Sequence, residues 1–267
     1  MVSRNNNVVI CSRNDADVQS SLHKLRKISS TSICEGIVAD VSKYPDMQRL
    51  AAYSVEKLGD IDIWINNAGS VAYQRKTIMD LDPQDIQQVV NTNLLVTIFG
   101  CKAAIEVMKS QSKMGHIYNM DGAGVEGGPT DKFAAYGATK RSIPQLTKSI
   151  NKELRDSGIS SVTVHNLSPG MVLTDLLLSE STPVVRRFFN VLAEEPQTVA
   201  EFLTPRVLSV EGNTPVYIRY LTNADAFRRI LTGFPQIVFG GRFFDAEGNR
   251  VRESEAEYND RNVRIDL

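Results

Sequence analysis

The apolar positions divide this chain into short β-branched runs and longer stretches with a helical period. Val8–Cys11, Gly36–Ala39, Ile61–Asn66, His116–Met120 and Val162–Leu167 read as strands. Between them, Asp15–Ile28, Lys43–Leu58, Asp85–Met108 and Ala134–Arg155 read as helices. In the last of these, Ile143, Leu146, Ile150 and Leu154 share one face. Ile86, Val89, Val90, Leu94, Ile98, Cys101, Ile105 and Met108 do the same in Asp85–Met108. Regular strand–helix alternation predicts an α/β fold, a doubly wound parallel sheet covered by helices on both faces. Such sheets bind ligands outside the carboxyl ends of their strands.

Past Pro169 the regularity drops. Thr174–Leu192 is strongly apolar, with "TDLLL" and "VVRRFFNVL" on either side of Pro183. It reads as a lid, residues 174–195, over a greasy substrate in preference to an ordinary capping helix pair. Thr198–Val210 is expected to be another helix, and residues 221–267 form a C-terminal extension. Within it, Asn223–Phe239 is amphipathic, carrying Phe227, Ile230, Leu231, Phe234, Ile237 and Val238. Core or a subunit interface is preferred there over a peripheral membrane contact. The tail from Arg242 mixes arginines with acidic residues and reads as a solvated, partly frayed end.

Composition narrows the function classes. The 267 residues are 42% hydrophobic and 23% charged, an ordinary globular balance that excludes collagen-like and disordered chains. With 30 basic and 31 acidic residues the net charge is -1, so no nucleic-acid partner is expected. Cys11, Cys34 and Cys101 lie far apart, without metal-ligand or redox spacing; neither a disulfide framework nor a metal is predicted. No uninterrupted apolar run of about 18 residues is evident, so no spanning helix is expected. Met1–Asn7 lacks the apolar stretch of a secretory signal.

The candidate chemistry centres on "YGATK", Tyr136 to Lys140, at the start of a helix. Residues four apart share a helix face, so the Lys140 ammonium can sit beside the Tyr136 phenol. A neighbouring cation favours phenolate and would lower the phenol's pKa from about 10, making Tyr136 a general acid or base. Alone, this spacing also describes a surface Tyr–Lys pair. "NNAG", Asn66 to Gly69, follows a strand at a sheet carboxyl end, where Gly69 permits a tight turn. "NTN", Asn91 to Asn93, interrupts an apolar helix, and a buried Asn there needs a hydrogen-bonding reason. "SPG", Ser168 to Gly170, ends the next strand.

In this order, "NNAG", the following Asn, "YxxxK" and "PG" resemble the short-chain dehydrogenase/reductase superfamily, strongly over residues 8–175. The resemblance implies a Rossmann-like fold. It makes Tyr136 the proton donor, Lys140 the modulator of its pKa and a ribose ligand, and Asn93 the relay residue holding a water towards the lysine. It assigns Asp40 and Val41 to the adenine, Asn67, Ala68 and Gly69 to the cofactor ribose side, and Pro169, Gly170, Val172 and Thr174 to the nicotinamide. At the end of the first strand stand Ser12 and Arg13, not an acidic residue. A guanidinium pairs with a 2′-phosphate, so NADPH is expected over NADH.

Two departures follow. The family's catalytic Ser is missing, and Asp121 or Gly122 takes its place in "HIYNMDGAGVEGG". An ionised Asp121 would repel a developing oxyanion. Asp121 is therefore protonated, or Tyr136 polarises the carbonyl alone, or a substrate group makes the contact. Gly122, Gly124 and Gly127 match G-x-G-x-x-G by spelling only, because Pro129 follows and no helix opens at once. The second departure is N-terminal. Val8–Cys11 matches the family's second strand, so a unit of about 30 residues with a Gly-rich turn is expected to be missing. The chain then reads as a single N-terminally truncated domain, 1–267. The missing strand would lie between those at Val8 and Ile61.

"NMDGAG", "SPGMVLTDLLL", "EEPQTVAEFLTPRV" and "RFFDAEG" together resemble the chlorophyll(ide) b reductases, a plastid branch. This resemblance implies NADPH-dependent reduction of the C7 formyl group to hydroxymethyl. It places the chain in the chloroplast, in the stroma or peripheral on the thylakoid, with the cytoplasm as fallback. Asp121, Gly122, Leu176 and Leu177 then become substrate contacts for an apolar, chlorophyll-like molecule. The helices Asp85–Met108 and Ala134–Arg155 resemble those that pair subunits, implying a homo- or hetero-oligomer of related reductases. Two other readings stay open, a general carbonyl or lipid reductase and a catalytically impaired pigment-binding or partner subunit.

Overall fold

The computed structural model describes residues 1–71, 75–178, 181–251, 257–258 and 264–265. They form two compact units, Met1–Leu167 with Val210–Tyr217, and Ser168–Ser209 with Ile218–Leu267. Each is described in turn.

The first unit alternates strand and helix: β1 (Val8–Ser12), α1 (Asp15–Ile28), β2 (Cys34–Val38), α2 (Tyr44–Leu58), β3 (Ile63–Asn66), α3 (Pro83–Val90), α4 (Val96–Met108), β4 (Gly115–Met120), α5 (Ala134–Asp156) and β5 (Val162–Ser168). Local chemistry sets the helix starts. The Asn14 side chain accepts from Ala16 N–H, and Asp82 accepts from Gln84 N–H with Pro83 in the first turn. Strand pairing is parallel throughout, with Val8 opposite Cys34, Ile63 opposite His116 and Gly115 opposite Val162.

The parallel pairs do not form one continuous sheet. Among the described residues β1 pairs only with β2, while β3, β4 and β5, with the short strand Tyr217–Arg219 beside β5, belong to a separate sheet. The break falls where the sequence pattern called for another strand, between β1 and β3. Beside the break, Ile65, a β-branched residue inside β3, is 37% exposed, and all five residues of β1 are only half-buried. Interior strands of a covered parallel sheet bury both faces. The two pieces nevertheless share a core. Val9, Cys11 and Ile37 pack against a cluster that includes Met47, Leu50, Trp64, Cys101, Ile117 and Val164.

The predicted single helix Asp85–Met108 is a composite. A one-turn π segment, Asn91–Leu95, joins α3 to α4 at "NTN". By length and composition Pro83–Met108 would suffice to cross a membrane. Its inward face (Val89, Asn93, Val96, Cys101, Ala104 and Met108) is buried in the unit's own core, as expected of a core helix.

Beneath the strand ends runs a buried polar network. Trp64 Nε1 donates to Asn66 Oδ1 at 2.8 Å, Asn66 Nδ2 to Asn119 Oδ1 at 2.8 Å, and Asn119 Nδ2 to Thr147 Oγ1 at 3.2 Å. Thr147 Oγ1 donates onward to Asn166 Oδ1 at 2.8 Å. The network ties β3, β4 and β5 to α5, and its members satisfy each other's buried groups. Burial pushes the adjoining Cys101 thiol up to about 12, so it is inert as a nucleophile.

A second polar pair is His116–His165, whose ring nitrogens lie 3.0 Å apart in the core. Val216 N–H donates to His165 Nδ1, so His165 Nε2 carries the proton given to His116. Burial, reinforced by His116, pushes the His165 pKa from 6.5 down to about 4. A depressed histidine gives stability that is full above the unfolded pKa and is lost as pH falls towards the folded one, on the order of 3 kcal/mol here. An imidazole NMR titration should find His165 still neutral at about pH 5. A midpoint near the unperturbed value would contradict the buried pair.

The second unit comprises β6 (Met171–Val172), α6 (Asp175–Leu178), α7 (Pro183–Leu192), β7 (Ala193–Glu194), α8 (Pro196–Leu208) and α9 (Asn223–Phe239). β6 and β7 are parallel, Met171 opposite Ala193. The core is Leu173, Phe189, Ala193, Phe243 and Phe244. The sequence reading of a solvated tail from Arg242 is overturned up to Val251. Phe243 and Phe244 are buried, and Asn190 Oδ1 accepts from both of their N–H groups. Arg242 also grips buried Glu194 with two nitrogens, at 2.8 and 2.6 Å. A mixed-charge string concealed an aromatic pair and a bidentate anchor. Most of the tail beyond Val251, and residues 179–180 of the predicted lid, lie outside the described residues.

Candidate active site

The site is assembled in the first unit at the carboxyl ends of β3 and β4 and the first turns of α5. Asn93, in the π turn, is fully buried. Its Oδ1 accepts from Ser70 N–H at 2.9 Å and its Nδ2 donates to Ser70 O at 2.6 Å, so the amide latches the "NNAG" loop to the helix. This answers why a poor helix former sits inside an apolar helix: the widened turn and the loop backbone take up its polar groups. Gly69 lies in the angle of that latch. A Cβ there would stand 2.9 Å from Asn93 Oδ1 and 3.7 Å from Lys140 Nζ, so Gly69 keeps the loop close to both.

α5 presents Tyr136 and Lys140 on one face, as the four-residue spacing requires. Lys140 is only 5% exposed, and Nζ donates to Met120 O at 3.2 Å, at the end of β4. It stands 5.8 Å from the Tyr136 ring centroid. Facing the phenol is Gly122: a Cβ at that position would lie 2.5 Å from Tyr136 Oη and 3.2 Å from Lys140 Cε. Of the two candidates for the missing serine, Gly122 therefore stands against the phenol. A side chain there would have to displace the tyrosine. Asp121, also buried, accepts a hydrogen bond from the Tyr217 hydroxyl. Sequence reasoning missed Tyr217. It lies far along the chain, in a segment without periodicity, and no spacing rule links it to Asp121.

The electrostatics correct one expectation. The phenol is not shifted towards phenolate: burial first, then the Asp121 charge, push the Tyr136 pKa up to about 12. Lys140 is lowered by burial, with Asp121 opposing that shift. Desolvation outweighs the neighbouring cation because the ammonium is engaged by a backbone carbonyl and is not stacked on the phenol oxygen. The arrangement keeps Tyr136 protonated and Lys140 beside it as a buried donor. It can deliver a proton to a carbonyl oxygen, and the Tyr136 hydroxyl has no hydrogen-bond partner among the described residues that would hold that proton elsewhere.

The residues assigned to the adenine end gather at the ends of β1 and β2. Ser12 O accepts from Ala39 N–H at 2.9 Å, joining the two strands. Arg13 is exposed, and its charge contributes to holding the Asp40 carboxyl below the usual range, after the stronger effect of the Ser42 hydroxyl bonded to Asp40 at 2.7 Å. Asp40 is thus committed to its own turn, and Val41 is half-buried beside it. Asn67 and Ala68 continue from β3, Asn67 N–H closing a turn onto Ile65 O at 3.0 Å.

Pro169, Gly170, Val172, Thr174, Leu176 and Leu177 belong to the second unit. Gly170 adopts φ +70, and a Cβ there would press on Leu221 at 3.2 Å. Thr174 O accepts from Leu177 and Leu178 N–H at the start of α6. Leu177 packs on that unit's core, while Leu176 is 47% exposed.

A cavity of about 530 Å³ opens beside α5, lined by Thr77, Ile78, Pro129, Lys132, Gly137 and Arg141 among others. It lies on the Gly137–Arg141 face of the helix and includes neither Tyr136 nor Lys140.

Comparison with known proteins agrees with this geometry. A family model described as short chain dehydrogenase matches residues 1–183. The chloroplastic chlorophyll(ide) b reductase NOL of Oryza sativa subsp. japonica is 45% identical over 240 residues, covering 88% of this chain and 69% of that protein. The probable chlorophyll(ide) b reductase NYC1 of Arabidopsis thaliana is 40% identical over 232 residues, covering 87% of this chain and 45% of the relative's length. Among solved structures, an alcohol dehydrogenase from the archaeon Thermococcus sibiricus, complexed with 5-hydroxy-NADP, superposes with TM-score 0.67 at 19% identity. That match covers 82% of this chain and 88% of the other, a likeness of fold. Sequence motifs, the parallel α/β architecture and these matches converge: the chain belongs to the short-chain dehydrogenase family, enzymes that work with a nicotinamide cofactor.

Proposed function

We propose that this chain reduces the C7 formyl group of chlorophyll(ide) b to hydroxymethyl, with NADPH as reductant, in the chloroplast. The observation that carries the reading is the Tyr136 hydroxyl. It is kept protonated, turned towards Gly122 and flanked by buried Lys140. Support for the substrate comes from the 45% identical relatives of rice and Arabidopsis thaliana, both named chloroplastic chlorophyll(ide) b reductases.

The residues present suit the two ends of a dinucleotide. The close approach of the Gly69 loop to Asn93 and Lys140 puts loop backbone and a buried ammonium side by side, a donor set that would suit a ribose. Arg13 and Ser12 present a guanidinium and a hydroxyl, the donor set for a 2′-phosphate, with Asp40 and Val41 adjacent. The cofactor, when bound, supplies the hydride. Tyr136 donates the proton to the formyl oxygen. Lys140 holds the ribose and restores the proton to the phenol, and Asn93, by fixing the Ser70 backbone, positions the loop next to both. With Gly122 at this position no side chain competes with the Tyr136 hydroxyl. The carbonyl is thus polarised by Tyr136 without a second hydroxyl.

A substrate panel tests the reading. Chlorophyll b should be turned over with NADPH, and Arg13→Ala should lower the preference for NADPH over NADH roughly tenfold or more, the worth of one charge-assisted contact. Inert chlorophyll b beside a readily reduced simple ketone would favour a general carbonyl reductase. Absence of NADPH binding by calorimetry would instead favour a pigment-binding subunit.

A further inference from the structure

Next to the proton donor this chain buries an acid, and that placement carries a risk for the reaction. Asp121 is 5% exposed and directly precedes Gly122, the residue that faces the Tyr136 hydroxyl. Its charge reaches both Tyr136 and Lys140, adding to the burial that raises the phenol and opposing the burial that lowers the ammonium. A buried carboxylate needs hydrogen-bond donors, because burial otherwise penalises its charge. The Tyr136 hydroxyl is a donor close at hand. Were it to serve Asp121, the proton meant for the substrate oxygen would be committed to the carboxylate.

The fold gives Asp121 a different hydroxyl. Tyr217 Oη donates to Asp121 Oδ2. Both ends of this bond are fastened to β5. Val216 N–H donates to His165 Nδ1 at 3.1 Å, and Val216 O accepts from Asn166 N–H at 3.1 Å, which fixes the backbone just before Tyr217. Asp121 N–H donates to Leu167 O at 2.9 Å. Consecutive residues of one strand, His165, Asn166 and Leu167, therefore set where phenol and carboxylate meet. The Lys140 ammonium, the other donor nearby, is turned to Met120 O. We infer that Tyr217 is a positioning residue for the proton donor: its hydroxyl ties down the Asp121 carboxylate and so leaves the Tyr136 hydroxyl free for the substrate oxygen. The inference rests on the reading of Tyr136 as the general acid. It also says how the site works with an acid beside the place of the missing serine: Asp121 is occupied by Tyr217, and Tyr136 polarises the carbonyl alone.

NMR of the full chain carrying ¹³C at tyrosine Cζ, without substrate or nucleotide, tests this independently of turnover. Donation to a carboxylate moves Cζ downfield, and Tyr136→Phe and Tyr217→Phe assign the two signals. Tyr217→Phe should move the Tyr136 signal downfield, as the freed carboxylate takes its hydroxyl, and should not do so when combined with Asp121→Ala. Asp121→Ala alone should move the Tyr217 signal upfield, a reading that holds whether or not Tyr217→Phe folds. In turnover of chlorophyll b, Tyr217→Phe should lower kcat about tenfold to a hundredfold with KM little changed, the worth of one hydrogen bond to a charged group. In the Asp121→Ala background the same substitution should cost little further. A Tyr136 signal indifferent to Tyr217→Phe overturns the inference, as does a Tyr217 signal indifferent to Asp121→Ala. Equal losses of kcat in both backgrounds also overturn it, since a merely structural tyrosine behaves that way. Inert chlorophyll b with the resonance shifts present would count against the proposed substrate and leave the positioning role standing.

Discussion

Replacing Tyr136 with Phe lowers NADPH-dependent reduction of chlorophyll b by about 10²- to 10⁴-fold, the range for removal of a general acid, and leaves thermal stability unchanged. The second half of that expectation is as informative as the first. A buried tyrosine normally spends its hydroxyl on a structural hydrogen bond, and its removal then destabilises the fold. The Tyr136 hydroxyl has no such partner among the described residues, and Gly122 stands where a competing side chain would be. The phenyl ring stays in its cluster with Leu81, Val89 and Phe133. Loss of turnover together with a large drop in Tm would indicate a structural tyrosine. Turnover close to the unaltered rate would remove the proton donor from the mechanism.

Gly100→Ala produces the largest loss of stability, with no residue of the reaction altered. A Cβ on Gly100 would overlap Asn66 Oδ1 and fall 2.8 Å from Asn66 Cγ and 3.0 Å from Met47 Cε, on the face where α4 crosses β3. The Asn66 side chain cannot simply turn away, because it accepts from Trp64 and donates to Asn119. Overpacking of a core costs about 1–3 kcal/mol, and a stranded buried donor or acceptor adds about 1–3 kcal/mol. A loss of about 2–6 kcal/mol, on the order of 10 °C in Tm, is expected from calorimetry. Gly128→Ala is the control: nothing lies within 4 Å of a Cβ there, and its φ is not positive. Equal effects from the two substitutions would show that the Asn66 network does not hold the sheet to α4.

The strand–helix alternation was legible from periodicity, and most element boundaries fall within about two residues of the pattern. α1 and α9 begin and end where their apolar spacing begins and ends. The Tyr136–Lys140 face followed directly from helical geometry, and the anomaly of Asn93 pointed to the π turn without identifying it. What the sequence concealed lies in long-range chemistry. No local pattern announces that Asn190, Glu194 and Arg242 lock a string of mixed charge into the second unit's core, or that Tyr217 caps Asp121. The phenol's raised pKa was likewise invisible, because the spacing places a cation nearby but cannot report how much burial surrounds both groups.

In the proposed reaction, hydride from a nicotinamide and a proton from Tyr136 are added across the C7 formyl group. The direct measurement is mass spectrometry of the pigment formed from chlorophyll b with NADPH deuterated at the transferring position of C4. A 7-hydroxymethyl product carrying a single deuterium on the new CH₂ carbon is expected from the unaltered protein and not from Tyr136→Phe. A hydroxymethyl product without deuterium, or unchanged chlorophyll b in the presence of bound NADPH, would contradict it.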